Sequence, residues 1–420
     1  MVTLRDYQEA NVKRGVEILS SRRLLLLTMQ TRTGKTITSL TIAKERGARR
    51  VLFLTKKKAL PGIKKDIQAC GYDYEIQLLT VDSSHKAVGP FDCVIVDESH
   101  CIGAFPDAGP RAQSIRALVG RADVILLSAT PTPESYSQIY HQLWVSPFSP
   151  FAEWPSFKKW AKDFVNVQQK MISGYRVNDY SDARIKDIEP YLDPIRISFT
   201  QVEAGFKQAE IEEIFMPVEM SASTVALVKR LIKARCYRFS DGCEVICDTP
   251  AKLVSKVAQV ASGTVITEKL VEDDDGRRVE RVAKVLDTAK AAAVLKLSRE
   301  KKIAVYYKYD AEKTMLKSVL PKVTENQAVF QESSDKVFLS QYQSGREGIR
   351  LDTADAIVFF NPDHAFLSYE QTRNRIQDID RETKPVLIWL FSQTGIERKI
   401  HKVITGKKKY TSSHFMRDWF

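Results

Sequence analysis

One short stretch limits what this chain can fold into: Met29-Gln30-Thr31-Arg32-Thr33-Gly34-Lys35-Thr36, set between an apolar run, Leu24–Leu27, and an amphipathic segment, Ile37–Arg46. The order reads as strand, loop and helix, with Gly-Lys-Thr at the loop-to-helix joint. Such a loop turns backbone N–H groups and a helix N-terminus toward phosphate oxygens. Its lysine, Lys35, reaches the β- and γ-phosphates, and its threonine, Thr36, ligates Mg2+. The full pattern opens on glycine, where this chain has Met29. Gly-Lys-Thr alone also suits an ordinary strand-to-helix turn, so acidic partners elsewhere decide between the two.

Those partners follow a second apolar run, where Cys93-Val94-Ile95-Val96 leads into Asp97-Glu98-Ser99-His100. A buried strand ending on two carboxylates places them at the edge of a parallel sheet where ligands collect. Asp97 is placed to hold Mg2+ through water, and Glu98 to orient or deprotonate the attacking water. A solvated strand end is the plain alternative; Lys35 and Thr36 in the same chain favour a nucleoside triphosphatase site. Val51–Thr55 runs into Lys56-Lys57-Lys58 in the manner of another parallel strand end. Thr55, Lys56 and Lys57 are expected there at a nucleic-acid backbone, although lysine runs also mark solvated faces. Val124–Leu127 runs into Ser128-Ala129-Thr130-Pro131-Thr132-Pro133. These hydroxyls can sense a γ-phosphate and pass its state to a bound strand, with Thr130 as the contact; the prolines make a turn in any case. At the start, Leu4-Arg5-Asp6-Tyr7-Gln8 precedes helical spacing through Val12, Val16 and Leu19. The Gln8 amide, with two donors and an acceptor, could read an adenine edge.

The 420 residues suffice for two or three domains, and a formal net charge of +12 favours a polyanionic partner. At 44% hydrophobic and 28% charged residues, the composition is that of a soluble globular protein. No apolar run approaches the ~20 residues of a membrane span, and no signal-peptide core opens the chain, so a cytoplasmic protein without membrane contact is expected. Cys236, Cys243 and Cys247 offer three thiolates without a fourth ligand; reduced structural thiols are the expectation.

The order of these motifs resembles the superfamily-2 helicases and translocases. Leu4–Gln8 looks like their adenine-reading motif, Gln30–Thr36 like motif I, Asp97–His100 like the Asp-Glu-x-His box, and Ser128–Thr132 like motif III. The Swi/Snf-like group is most similar. The short spacing, and Tyr140–Trp144 after motif III, resemble its compact phage-encoded members. Met29 and Arg32 depart from the family, which usually has alanine or glycine at the first and glycine at the second. Ile303–Lys308 sits like motif IV. Gln341–Leu351 looks like motif V, whose Gln343, Ser344 and Arg350 would touch the nucleic-acid strand. Ser368–Asp378 resembles motif VI. There the family spacing puts its first arginine on Arg375 and its second on Asp378. Such arginines neutralise charge on the transferred phosphate, worth ~10³ to 10⁵ in rate. Either Arg381 or Arg373 then supplies the second one, or hydrolysis is slow.

The resemblance implies an α/β fold of two RecA-like, doubly wound parallel-sheet lobes with the nucleotide cleft between them. Residues 1–205 would form the first lobe, 206–285 a hinge with helices and a hairpin, and 286–420 the second lobe. Nucleotide would be held by Gln8, Thr31, Arg32, Thr33, Gly34, Lys35, Thr36 and Arg381, and catalysis carried by Lys35, Asp97, Glu98 and Arg375. ATP and Mg2+ are the implied cofactors. DNA, whether duplex, forked or single-stranded, is the implied partner of a monomeric helicase or translocase serving phage replication, recombination or repair. An RNA helicase is the first alternative. A DNA-binding clamp that binds ATP but scarcely hydrolyses it is the second.

Late in the first lobe, Trp154, Phe157, Trp160 and Phe164 recur at helical spacing, which favours core packing over a base-stacking platform. Val202–Phe215 is the candidate hinge. Thr264–Leu270 and Arg277–Val282 alternate around Asp273-Asp274-Asp275-Gly276, a hairpin signal. Its plain use is a surface hairpin, its functional one a strand-separating pin. Lys407-Lys408-Lys409 suits either a DNA contact or a solvated tail.

Overall fold

The computed structural model describes residues 3–172, 175–205, 211–273, 276–342, 351–373, 375–376, 383–406, 415–416 and 418. The chain forms two compact units, Met1–Lys207 and Gln208–Phe420.

In the first unit, β1 (Leu24–Met29), β2 (Arg50–Thr55), β3 (Glu75–Thr80), β4 (Cys93–Val96) and β5 (Asp123–Leu127) precede a hairpin of β6 (Gln168–Ile172) and β7 (Tyr175–Asp179), and β8 (Arg196–Phe199) follows. Six of them make one sheet, ordered β3-β2-β4-β5-β1-β8, and every neighbouring pair is parallel. A parallel sheet is covered on both faces, which demands continuous apolar strands. Leu24–Leu27, Val94–Val96 and Val124–Leu127 meet that demand and are buried throughout. Registers Leu27↔Leu127 and Val96↔Leu126 bring β1, β5 and β4 to an end at one level. The residues that follow each strand therefore share one edge.

The aromatic segment packs. Trp160, Phe151, Phe157 and Phe164 are buried, and the Trp160 and Phe164 rings stack at 5.2 Å. Their helical spacing is the spacing of a core.

The second unit opens with β9 (Glu212–Val218). A four-stranded antiparallel sheet follows, ordered β10 (Cys236–Arg238), β11 (Glu244–Ile246), β12 (Thr264–Asp273) and β13 (Gly276–Val285). The expected hairpin is present, with Asp273 paired to Gly276. Next come β14 (Ile303–Tyr307), β15 (Val323–Thr324), β16 (Val337–Gln341), β17 (Ala356–Phe359) and β18 (Val386–Ser392). With β9 they form a second six-stranded parallel sheet, ordered β15-β16-β14-β17-β18-β9. Alternate residues feed two cores. Tyr306, Ile357, Phe359 and Trp389 pack into one, and Val305, Ala356, Val358 and Ile388 into the other. This period of two, with both faces covered, defines a doubly wound sheet. The two sheets together are the two RecA-like lobes that the sequence implied.

Part of the expected hinge, Glu212–Phe215, lies in β9, the edge strand of the second sheet. Helices Ala222–Ala234 and Pro250–Ala261 contribute Val228, Leu231, Leu253 and Val257 to the same core as Trp389. Among the described residues no cluster of three or more cysteine, histidine or carboxylate side chains is arranged to hold a metal ion, and no helix is long and apolar enough to cross a membrane.

One ion pair in the second unit is fully buried. Lys290 Nζ lies 2.6 Å from Glu397 Oε1, and Ser392 donates to Glu397 Oε2 at 2.9 Å. Removing one partner strands a buried charge, at a cost of about 3–5 kcal/mol, whereas removing both is close to neutral. Urea unfolding is expected to show that loss for Lys290→Met and its recovery in Lys290→Met/Glu397→Leu.

Candidate nucleotide-binding and hydrolysis site

The chain leaves β1 at Met29 and enters the helix Lys35–Glu45 through Gly34, whose φ is 82°. Glycine is required there twice over. The left-handed backbone disfavours any Cβ, and a Cβ would lie 2.2 Å from Gln8 Nε2. Gln8 thus rests on the loop, while its Oε1 accepts from the Arg5 amide at 3.0 Å. Within the loop, Thr33 Oγ1 donates to the Gln30 carbonyl at 2.8 Å. Lys35 Nζ donates to the carbonyls of Met29 and Gln30 at 3.0 and 3.1 Å, so the loop holds its own cation. The buried Thr31 hydroxyl has no hydrogen-bond partner among the described residues. An unsatisfied buried hydroxyl costs about 1–3 kcal/mol, which a phosphate oxygen could offset.

The acids stand at the neighbouring strand end. Asp97 Oδ2 accepts from Thr55 Oγ1 at 2.8 Å, and Asp97 Oδ1 from the Glu98 amide at 3.0 Å. Burial, and then the charge of Glu98, push the Asp97 carboxyl up to about 6, against the Thr55 hydrogen bond and the charge of Lys35. Two carboxylates with surplus negative charge beside a phosphate loop suit a divalent cation. Mg2+ takes few protein ligands and completes its shell with water and phosphate oxygens. Thr36 and Asp97 are the residues that could hold it.

Glu98 has a left-handed φ of 51°, which opens the one-turn helix Ser99–Ile102. Its Oε2 lies 3.2 Å from His100 Nδ1, and that nitrogen lies 3.3 Å from Ser128 Oγ. Ser128 Oγ accepts in turn from the Thr130 amide at 3.2 Å. His100 and Ser128 thus lie between Glu98 and the loop after β5, while Glu98 Oε2 has no hydrogen-bond partner among the described residues. A hydrogen-bonded tie runs beside them: Ser99 Oγ donates to Gln142 Oε1 at 2.9 Å, and Gln142 Nε2 to the Pro131 carbonyl at 2.6 Å.

The structure brings Gln8, Thr31, Arg32, Thr33, Gly34, Lys35 and Thr36 into one loop region, with Asp97 within reach of the charge on Lys35. Thr55, expected at a nucleic-acid backbone, is instead fully buried, with its hydroxyl turned to Asp97. The reason is its register: it ends β2 beside β4, so its side chain meets the acid rather than solvent. Lys57 is exposed, and Lys56 and Thr130 are half-buried. In the second unit Arg375 follows the helix Phe366–Arg373. Its amide donates to the Thr372 carbonyl at 3.0 Å and its carbonyl accepts from Leu351 at 3.1 Å. Gln343, Ser344, Arg350, Asp378, Arg381 and Lys407–Lys409 lie outside the described residues.

Two buried glutamines tied to the loops of this site escaped the sequence. Gln142 sits in the segment after motif III and is fully buried, which its sequence neighbours do not reveal. Gln201 donates from its backbone to Gln30 Oε1 at 2.8 Å and from Nε2 to the Thr31 carbonyl at 2.9 Å. No local pattern marks it.

No family model matches the chain, and no curated protein matches it in sequence. Among solved structures, the chain is similar to the Sulfolobus solfataricus SWI2/SNF2 ATPase core in complex with dsDNA, at 14% identity and a TM-score of 0.42, over 96% of this chain and 91% of that one. It is similar also to the Sulfolobus solfataricus SWI2/SNF2 ATPase core domain, at 13% identity and a TM-score of 0.42, over 97% and 89% of the respective chains.

Two outcomes follow from this geometry. Gly34→Ala strains the loop by about 1–2 kcal/mol and displaces Gln8, so titration with a fluorescent ADP analogue should show at least about ten-fold weaker binding. Asp97 has a folded-state pKa raised to about 6. Its favourable contribution is therefore full below the ordinary carboxylate range and is lost as pH rises through 6. Without Mg2+, Asp97→Asn should gain melting temperature relative to wild type at about pH 7, and gain less at about pH 4.5.

Proposed function

We propose that this chain is an ATP-dependent DNA translocase or helicase. The observation that carries the proposal is the shared sheet edge, where the phosphate loop with Lys35, the Asp97–Glu98 pair and the hydroxyl-bearing loop of Ser128 and Thr130 all open. Lys35 and the loop amides bind the β- and γ-phosphates. Thr36 and Asp97 hold Mg2+, which when bound withdraws charge from the phosphate oxygens. Glu98 orients the attacking water and takes up its proton. His100 Nδ1 stands 3.2 Å from Glu98 and 3.3 Å from Ser128, between the carboxylate and the loop that bears Thr130. Arg375 is the arginine we assign to neutralising charge on the γ-phosphate. The net charge of +12 and the exposed Lys57 favour a nucleic-acid partner, and the Swi/Snf-like motifs favour DNA.

Steady-state ATP hydrolysis tests this, measured alone and with duplex DNA, single-stranded DNA or RNA, for wild type, Lys35→Ala and Glu98→Gln. Duplex DNA should stimulate wild type, Lys35→Ala should abolish turnover, and Glu98→Gln should lower it by about 10² to 10⁴. Stronger stimulation by RNA would make the chain an RNA motor. Equal turnover in wild type and Glu98→Gln would leave only an ATP-binding clamp.

A further inference from the structure

The turn after β8 is built to hold its shape. Thr200 donates from its amide to Glu203 Oε2 at 2.6 Å and from its hydroxyl to the same oxygen at 2.7 Å, and the Glu203 amide returns a bond to Thr200 Oγ1 at 3.2 Å. This reciprocal box presents Gln201, 4% exposed, to the phosphate loop of β1. There its amide binds Gln30 Oε1 at 2.8 Å, and its Nε2 binds the Thr31 carbonyl at 2.9 Å. One residue earlier, the Gln30 amide donates to the Phe199 carbonyl at 2.9 Å.

Peptide planes convert these bonds into a statement about the loop. In a trans peptide the C=O and the following N–H point in opposite directions. The Gln30 N–H is drawn to β8, so the Met29 carbonyl faces the other way, where Lys35 Nζ meets it at 3.0 Å. By the same rule, a Thr31 carbonyl held by Gln201 turns the Arg32 N–H away from Gln201. Two contacts from the β8 side thus orient the 29–30 and 31–32 peptides of the loop.

We infer that Gln201 is a positioning residue for the phosphate loop, and that through it nucleotide occupancy is felt in the turn Thr200–Gly205, by which the chain approaches the end of its first unit at Lys207. The inference rests on the proposed nucleotide site and names a residue that fixes its loop. Nucleotide that orders residues 29–36 also orders residues 199–205, because the amide of Gln201 is itself bonded to a loop side chain.

Gln201→Met tests this in the full chain, since it keeps the length and burial of the side chain but removes the Nε2 donor. Losing one such bond weakens Mg·ADP binding by about five- to ten-fold, and the Thr31 carbonyl it leaves unpaired lowers the melting temperature of the nucleotide-free protein. Amide hydrogen exchange gives the second readout. In wild type, Mg·ADP slows exchange in both 29–36 and 199–205; in Gln201→Met it slows exchange in 29–36 alone. Protection of 29–36 without 199–205 in wild type overturns the coupling and leaves the nucleotide site standing. A Gln201→Met protein that melts lower but binds Mg·ADP as wild type does reduces Gln201 to a structural residue and also overturns it. If wild type neither binds Mg·ADP nor gains protection in 29–36, the nucleotide site itself falls, and this inference with it.

Discussion

The site depends on parallel register. Because β1, β5 and β4 run the same way and end at the same level, three loops distant in sequence open at one edge. One bears Lys35, one bears Ser128 and Thr130, and one bears Asp97 and Glu98. An antiparallel neighbour would send one of these loops to the opposite end of the sheet. The apolar content that buries these strands on both faces is what permits such a sheet. Fold and site therefore share one cause.

Charge is the second constraint. Asp97 and Glu98 are adjacent, and burial alone would favour protonating one of them. Thr55 and Lys35 pull the other way, and the balance leaves Asp97 at about 6. Two adjacent carboxylates at a buried strand end therefore repel each other, and that repulsion adds to the rise at Asp97. Glu98 is treated differently. Its left-handed backbone turns it back along the one-turn helix to His100, away from the hydroxyl that serves Asp97. The two neighbouring carboxylates thus have different surroundings, Asp97 the Thr55 hydroxyl and Glu98 the His100 ring.

Much of this was legible in the sequence for a physical reason. Continuous apolar runs such as Leu24–Leu27 and Val386–Phe391 have one stable use in a chain with glycine- and acid-rich strand ends, and both became central strands. The hairpin around Asp273–Gly276 was legible because turn chemistry is local. What stayed hidden depends on pairing across long separations. Gln201 meets Thr31 across 170 residues, and Gln142 meets Ser99 across 43. A glutamine has the same composition whether it is solvated or strapped to a loop, so no window of sequence distinguishes them. Thr55 misled for a related reason: a hydroxyl before three lysines reads as a surface group until the neighbouring strand supplies an acid.

The two departures from the phosphate-loop pattern are explained by their neighbours. Met29 needs no glycine because it is still strand. It pairs with Phe199 in β8, is fully buried, and has no positive φ. Arg32 is the opposite case, a side chain at a φ of 66°, where glycine would be unstrained. A left-handed residue of this kind costs about 1–2 kcal/mol and persists only where its surroundings over-determine it. Here they do so from both sides: Gln201 grips the carbonyl just before Arg32, and Thr33 closes the loop onto Gln30. The strained residue and its strap form one device, and the loop can dispense with its glycine because β8 and the turn after it hold the peptide that glycine would otherwise have left free to turn.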